Sequence, residues 1–286
     1  MPTLYVVATP IGNLQDFSPR AIQTLSEVQL IAAEDTGHTL KLLNHFSIRT
    51  PMISYHKYNE AERAGQLIRR MREENIDVAL VTDAGTPCIS DPGFDLVKAA
   101  RQGGIPVIGI PGPSAAVTAL SISGFPTDNF AFIGFLPREK QPKAQALQRI
   151  KDMPVTTFVL YESPLRIKDT LKDIAEVLDC EACLCNDLTK LHEASLWGNI
   201  REVLERVTEN PKSDKGEYVL ILYKPVTDSA PETTAPALSP EALLVDEMVR
   251  RGCSLKEAIA YARERENAPA KKELYNASIR LKELFE

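Results

Sequence analysis

Apolar runs of four or five residues recur along the first part of the chain, at Leu4 to Ala8, Leu30 to Ala33, Val78 to Thr82 and Val107 to Ile110. Between them the apolar positions move to helical spacing. Ala21, Ile22, Leu25 and Val28 share one side of a segment that opens with Ser18 and Pro19, an N-cap residue followed by a first-turn proline. Ala64, Leu67, Ile68 and Met71 repeat the pattern within Asn59 to Met71. Short apolar strands alternating with amphipathic helices predict a mainly parallel sheet covered by helices.

After Gly124-Phe125-Pro126 the pattern restarts. Phe130 to Phe135, Val155 to Tyr161, Ala182 to Leu188 and Tyr218 to Tyr223 read as strands, with helices at Lys143 to Ile150, Leu165 to Leu178 and Ile200 to Val207. Strand material lies near both ends of this unit and crossover helices are fewer, so its sheet is expected to be mixed. From Pro225 to Pro240 the composition turns to Pro, Ala, Thr and Ser, as in a linker. Beyond it, Leu243 to Arg250, a Ser254-capped segment through Arg263, and Lys271 to Leu284 predict a small helical module. Arg250, Arg251, Arg263, Arg265, Lys271 and Lys272 fall near its helix ends. The reading is therefore α/β, with two consecutive domains at 1–118 and 119–224, a linker at 225–240 and a helical module at 241–286.

Composition changes this picture only at the margins. With 286 residues, 44% hydrophobic and 25% charged, the chain can bury two ordinary cores. Its net charge of −6 would repel a polyanion at long range, so any nucleic acid must be held by a local basic face. The five cysteines, Cys88, Cys180, Cys183, Cys185 and Cys253, form no disulfide framework and fit a reducing compartment. Cys180 and Cys183 have a zinc-knuckle gap, but no second pair follows, so buried thiols and no metal are expected. Met1 to Ala8 enters a strand with no basic leader, and no apolar run approaches the ~18 residues of a membrane span. A cytoplasmic protein without membrane contact is the expectation.

The chemistry gathers at strand ends. Thr9-Pro10-Ile11-Gly12-Asn13-Leu14 follows the first strand, where parallel sheets bind ligands, but it lacks the pattern of a phosphate loop. Val81 to Gly93 reads Val-Thr-Asp-Ala-Gly-Thr-Pro-Cys-Ile-Ser-Asp-Pro-Gly, richer in turn formers than a connection requires. Asp83 closes the strand, and Asp91 is read as the N-cap of the next helix. After the fourth strand, Ser114 and Ala115 open a helix whose first amides can bind a carboxylate or a carbonyl-like edge. In the second unit, Tyr161-Glu162, Asp187 to Lys190 and Lys215 to Tyr218 are strand-end residues that describe one side of a cleft.

Taken together, Thr-Pro-Ile-Gly-Asn-Leu, Ala-Ala-Glu-Asp-Thr (Ala32 to Thr36), Thr-Asp-Ala-Gly-Thr-Pro, Pro-Gly-Pro-Ser-Ala, Tyr-Glu-Ser and Lys-Gly-Glu resemble the bacterial small-subunit ribosomal RNA cytidine 2′-O-methyltransferases, a branch of the tetrapyrrole methylase-like superfamily. The resemblance covers residues 4–224 in order and extends loosely to the C-terminal helices. It implies S-adenosylmethionine bound between two α/β domains, a homodimer, and 16S rRNA in the 30S subunit as substrate. Carried over, it places Ile11, Asp83, Thr86, Ser114, Ala115, Leu188 and Gly216 at the cofactor, and Tyr161 joins them from its strand end. The pattern has arginine where this chain has Gly37 and Asn186, two fewer bidentate phosphate donors.

Transfer to a ribose hydroxyl rests on alignment of the reacting atoms and on removal of a proton, for which Glu34, Asp35 and Lys190 are the candidate bases. One of the first two could instead cap the following helix. Two other readings remain at this point: a sibling methylase acting on a tetrapyrrole or a protein side chain, and a non-catalytic RNA-binding assembly factor.

Overall fold

The first sheet consists of β1 (Leu4–Val7), β2 (Leu30–Ala33), β3 (Met52–Ser54), β4 (Val78–Val81) and β5 (Val107–Ile110), ordered β3-β2-β4-β1-β5 and parallel throughout. The structure is a computed structural model that describes residues 1–225, 239–264 and 268–285. β2 and β4 are buried at every position, as strands covered on both faces must be. Alternation then divides their side chains. Val7, Ile31, Ala33 and Val81 pack beneath α1 (Pro19–Glu27) and α2 (Thr36–His45), whereas Leu4, Leu30, Ala32 and Leu80 meet α3 (Glu60–Glu74) and α4 (Phe94–Gln102). The Ser18 hydroxyl accepts the Ala21 amide at 3.1 Å, with Pro19 in the first turn, so α1 starts where its residues predict.

α5 (Ala115–Ile122) follows the last strand of this sheet but packs on the second one, where Ala116, Ala119 and Leu120 meet Val159, Cys183, Val219 and Ile221. The sequence boundary at residue 118 therefore falls inside a helix that joins the two sheets. The other face of the second sheet is covered by α6 (Lys140–Asp152), α7 (Ile167–Val177) and α8 (Ile200–Glu209).

That second sheet contains β6 (Phe130–Phe135), β7 (Thr157–Glu162), β8 (Glu181–Asn186), β9 (Ala194–Asn199) and β10 (Tyr218–Tyr223), ordered β6-β7-β10-β8-β9. β6 pairs with β7 in parallel and the other pairs are antiparallel, so the sheet is mixed, as expected. The topology has a functional consequence. β10 runs against both β7 and β8, and Tyr218 pairs with Glu162 on one side and Asn186 on the other. The ends of β6, β7 and β8 and the start of β10 thus share one edge. Cys180, Cys183 and Cys185 are buried thiols of this unit.

The C-terminal unit stands on its own core. α9 (Pro240–Arg251), α10 (Leu255–Arg263) and α11 (Lys271–Phe285) pack Leu243, Leu244, Ala258, Ala262, Leu274, Ala277 and Leu281 together. Ser239 caps α9, Gly252 ends it in the left-handed region at φ 59°, and Ser254 with Glu257 forms a capping box on α10. Most of the expected linker, 226–238, lies outside the described residues, as does Arg265. No described helix is long and apolar enough to cross a membrane.

Candidate active site

The loops leaving the first sheet are tied to one another before any ligand is considered. Thr9 and Gly85 exchange backbone hydrogen bonds of 2.8 and 3.0 Å, which joins the loop after β1 to the loop after β4. The Thr86 hydroxyl donates to the Pro113 carbonyl at 3.2 Å and so reaches the loop after β5. The Asp35 amide donates to Asp83 Oδ1 at 3.1 Å, which adds the loop after β2. Gly85 lies at φ 87°, a conformation costly for any residue with a Cβ.

The second sheet offers the opposing edge. Asp187 and Thr189 both adopt left-handed backbone, at φ 50° and 67°, and so fold the chain sharply after β8. The turn meets the first domain directly: the Asn13 amide donates to Thr189 Oγ1 at 3.1 Å. Lys190 Nζ donates to Asp187 Oδ1 at 3.1 Å and to Glu217 Oε2 at 2.9 Å. The Tyr161 hydroxyl accepts the Ala116 amide, one of the unpaired donors of the first turn of α5, at 3.2 Å.

Two cavities lie at these edges and share Ile11, Ala84 and Glu217 as wall residues. The first, about 370 Å³, is lined by Thr86, Asp91, Ser114, Ala115 and Tyr161 together with Glu162 and Glu217, and by no lysine, arginine or histidine. The second, about 380 Å³, has Asp83 and Glu217 in its wall but also His38, Lys41, His45 and Lys190. One cavity suits a cation; the other concentrates the basic groups.

Most of the residues singled out from sequence line these spaces. Ile11 borders both; Thr86, Ser114, Ala115 and Tyr161 border the first; Asp83 and Lys190 border the second. Leu188 is buried beneath Ile11, and Gly216, at φ 88°, lies against Asp187; neither lines a cavity. Glu34 and Asp35 line neither as well. Glu34 accepts the Thr82 hydroxyl at 2.5 Å. Asp35 caps α2 by accepting the Gly37 and His38 amides at 2.7 and 3.1 Å, bonds that hold its carboxyl below the usual range. Gly37 thus supplies a backbone donor to its own helix cap.

Asp91 is the main correction. α4 begins at Phe94, with Gly93 as its cap residue at φ 134°, and the Gly93 amide is satisfied by Glu60 Oε2 at 3.0 Å. Asp91 is thereby released to the cavity wall. Burial and the nearby Glu34 push its carboxyl up to about 7, against a partly offsetting hydrogen bond from Thr82. Burial and Glu34 also raise Asp83. Sequence reasoning gave no role to His38, Lys41 and His45, whose helix was seen only as something Glu34 or Asp35 could cap. Among the described residues no group of three or more His, Cys, Asp or Glu could hold a metal ion.

A parallel sheet and a mixed sheet that turn their loop-bearing edges to common cavities define a two-domain methylase architecture. A family model of tetrapyrrole (corrin/porphyrin) methylases matches residues 3–204, and the chain belongs to that family. Among solved structures, diphthine synthase superposes with a TM-score of 0.58 at 13% identity, over 78% of this chain and 90% of its own. Uroporphyrin-III C-methyltransferase of Thermus thermophilus, complexed with S-adenyl homocysteine, gives 0.52 at 18% identity, over 78% and 97%. These likenesses concern the fold. In sequence, ribosomal RNA small subunit methyltransferase I of Halalkalibacterium halodurans is 46% identical over 96% of this chain and 93% of its own. Its counterpart in Haemophilus influenzae is 42% identical over 91% of each.

Proposed function

We propose that this protein is an S-adenosylmethionine-dependent methyltransferase that methylates the ribose 2′-hydroxyl of a cytidine in the 16S rRNA of the small ribosomal subunit. The observation that carries this reading is the division of charge between two cavities with a common wall. High identity to relatives named for ribosomal RNA methylation gives the substrate class.

The first cavity fits the donor by its chemistry. S-adenosylmethionine carries a sulfonium and an ammonium group beside one carboxylate, and the wall has acidic groups with no competing cation. Its volume of about 370 Å³ lies in the ordinary range for small-molecule sites. Ser114 and Ala115 present first-turn amides of α5, Thr86 and Tyr161 hold the loops that surround them, and Ile11 over Leu188 gives an apolar floor. Asp83 supplies a polar anchor at the neighbouring wall, and Gly216 leaves the space at the second edge clear. When bound, the donor supplies an electrophilic methyl group.

The chain itself must orient the hydroxyl and take its proton. Burial pulls the Lys190 ammonium down, but hydrogen bonds to Glu217 and Asp187 more than reverse this and leave it raised. Lys190 therefore acts as a charged donor that positions an oxygen. Asp35 is committed to its cap, which leaves Glu34, bonded to the Thr82 hydroxyl and set back from both cavity walls, as the remaining carboxylate candidate for the proton. A homodimer is part of the proposal: Ile108, Val117, Ile122, Phe130 and Phe132 are exposed on β5, α5 and β6 and suit a second copy. A ribosomal substrate places the protein in the cytoplasm.

The test is methyl transfer from labelled S-adenosylmethionine to undermethylated 30S subunits, with a porphyrin precursor as the competing acceptor. Label in the cytidine ribose supports the reading; label only in the porphyrin refutes it. Glu34→Gln, Asp35→Asn and Lys190→Met then separate the roles, and near-wild-type rates for Glu34→Gln and Lys190→Met would remove both assignments.

A further inference from the structure

We propose that the face of α2 carrying His38, Lys41 and His45 grips the backbone phosphate next to the target ribose. This rests on the ribosomal RNA reading and names the part of the site that would hold the strand. The three residues follow one another at intervals of three and four, so they project from one side of the helix, and Leu42 completes that wall. All of them line the second cavity.

The carboxylates nearest them in charge, Asp35 and Asp83, are already held by backbone amides. Among the described residues, none of the three side chains has a hydrogen bond or an ion-pair partner. Lys190, on the opposite wall, is already bridged to Asp187 and Glu217. The un-neutralised basic groups of the cavity are thus those of α2, in a chain whose net charge is −6. The acidic residues of the same wall are engaged by other groups: Glu217 is held by Lys190, and Asp83 Oδ1 accepts the Asp35 amide.

Ribonucleotide chemistry explains why such a stripe belongs here. A 2′-oxygen and the 3′-phosphate ester oxygen sit on adjacent carbons of the ribose, so a cavity that receives the hydroxyl must receive a phosphate charge close beside it. Lysine offers three donors on a point charge and histidine a ring N–H, groups that suit phosphate oxygens rather than base edges. Placing these donors on α2, beyond the shared wall of Ile11 and Ala84, puts the anion outside the acid-lined donor cavity.

The experiment uses the full-length protein with Lys41→Ala, Lys41→Arg, His38→Ala and His45→Ala. Three quantities are measured: KM for undermethylated 30S subunits, the salt dependence of affinity for a single-stranded cytidine oligoribonucleotide, and the Kd for S-adenosylmethionine. Lys41→Ala should raise KM roughly 5- to 10-fold and flatten the slope of log affinity against log salt by about 0.7, the loss of one phosphate contact on a single strand. Lys41→Arg should restore both, and the donor Kd should stay within about twofold of wild type, as expected of groups that contact only phosphate. Unchanged KM and slope in an active enzyme would overturn the inference, and so would a parallel loss of donor affinity. If wild-type protein methylates no 30S subunit, the ribosomal reading fails, and an unaltered oligonucleotide slope in Lys41→Ala would then reject the grip independently.

Discussion

Replacing Gly12 with alanine probes the contact on which the cleft depends. Gly12 does not occupy the left-handed region, so the backbone itself tolerates alanine and the cost is one of space. A Cβ there would fall 2.6 Å from Lys190 Cγ, 2.8 Å from Thr189 Oγ1 and 3.2 Å from the Leu188 carbonyl oxygen. None of these retreats easily. Lys190 is pinned at its far end by two carboxylates, and Thr189 is held at φ 67° while its hydroxyl oxygen accepts the Asn13 amide. Overpacking of this kind costs about 1–3 kcal/mol and the Asn13 hydrogen bond about 1 kcal/mol, so Gly12→Ala should destabilise by roughly 2–4 kcal/mol. Urea unfolding followed by the fluorescence of Trp197, the one tryptophan of the chain, reads the second sheet directly. Donor affinity should fall about tenfold as well, because a small displacement of this loop moves Ile11 in both cavity walls. A loss below about 0.5 kcal/mol with unchanged donor affinity would show that the two edges part freely, and the clasp argument would be refuted.

The remaining predictions test other steps of the same reasoning. Gly65, inside α3 with nothing within 4 Å of its Cβ position, is the opposite case: Gly65→Ala should stabilise by about 0.5–1 kcal/mol in a thermal melt, and a destabilised variant would contradict it. Tyr161→Phe leaves the Ala116 amide without its partner and should cost about 1 kcal/mol, with donor affinity lowered several-fold by titration calorimetry; unchanged values would mean that the amide finds another acceptor. Asp91 is raised from 3.8 to about 7, so the folded protein favours its protonated form and loses stability as pH rises across that interval. Asp91→Asn should therefore be more stable than wild type at about pH 8, with the difference shrinking through the acid range, and a pH-independent difference would reject the assignment.

How much of this was legible in the sequence depended on the range of the interaction concerned. Strands such as Leu30–Ala33 and Val78–Val81 are apolar because both faces are covered, and that requirement is written in the residues themselves. β3 is only three half-buried residues, and β9 exposes Ala194, Ser195 and Trp197 as an edge strand, so neither left a clear period. α2 buries only Thr39 and Leu43 and leaves Leu40 exposed, which weakens the helical signature where the basic wall is built. Site residues followed the same rule. Turn formers marked the loops around Asp83, Thr86 and Ser114, whereas the release of Asp91 depended on Glu60, 31 positions earlier, reaching the Gly93 amide region from α3. No local capping rule can anticipate a substitute delivered by tertiary packing.

The carboxylates around Thr82 link stability to function. Glu34, Asp83 and Asp91 converge where β2 and β4 end, with the Thr82 hydroxyl against Glu34 at 2.5 Å. Burial and the charge of Glu34 outweigh the hydrogen bond between Thr82 and Asp91, so the favourable state of the cluster keeps a proton on Asp91. Packing acids so closely costs the empty protein stability, and neither strand termination nor helix capping calls for it: Glu60 takes over at α4, and Asp35 alone caps α2. Asp91 carries that electrostatic cost to the wall of a cavity lined, among the described residues, by no lysine, arginine or histidine, which is what a site for a cationic ligand requires, because the charge that relieves the repulsion is the ligand's own.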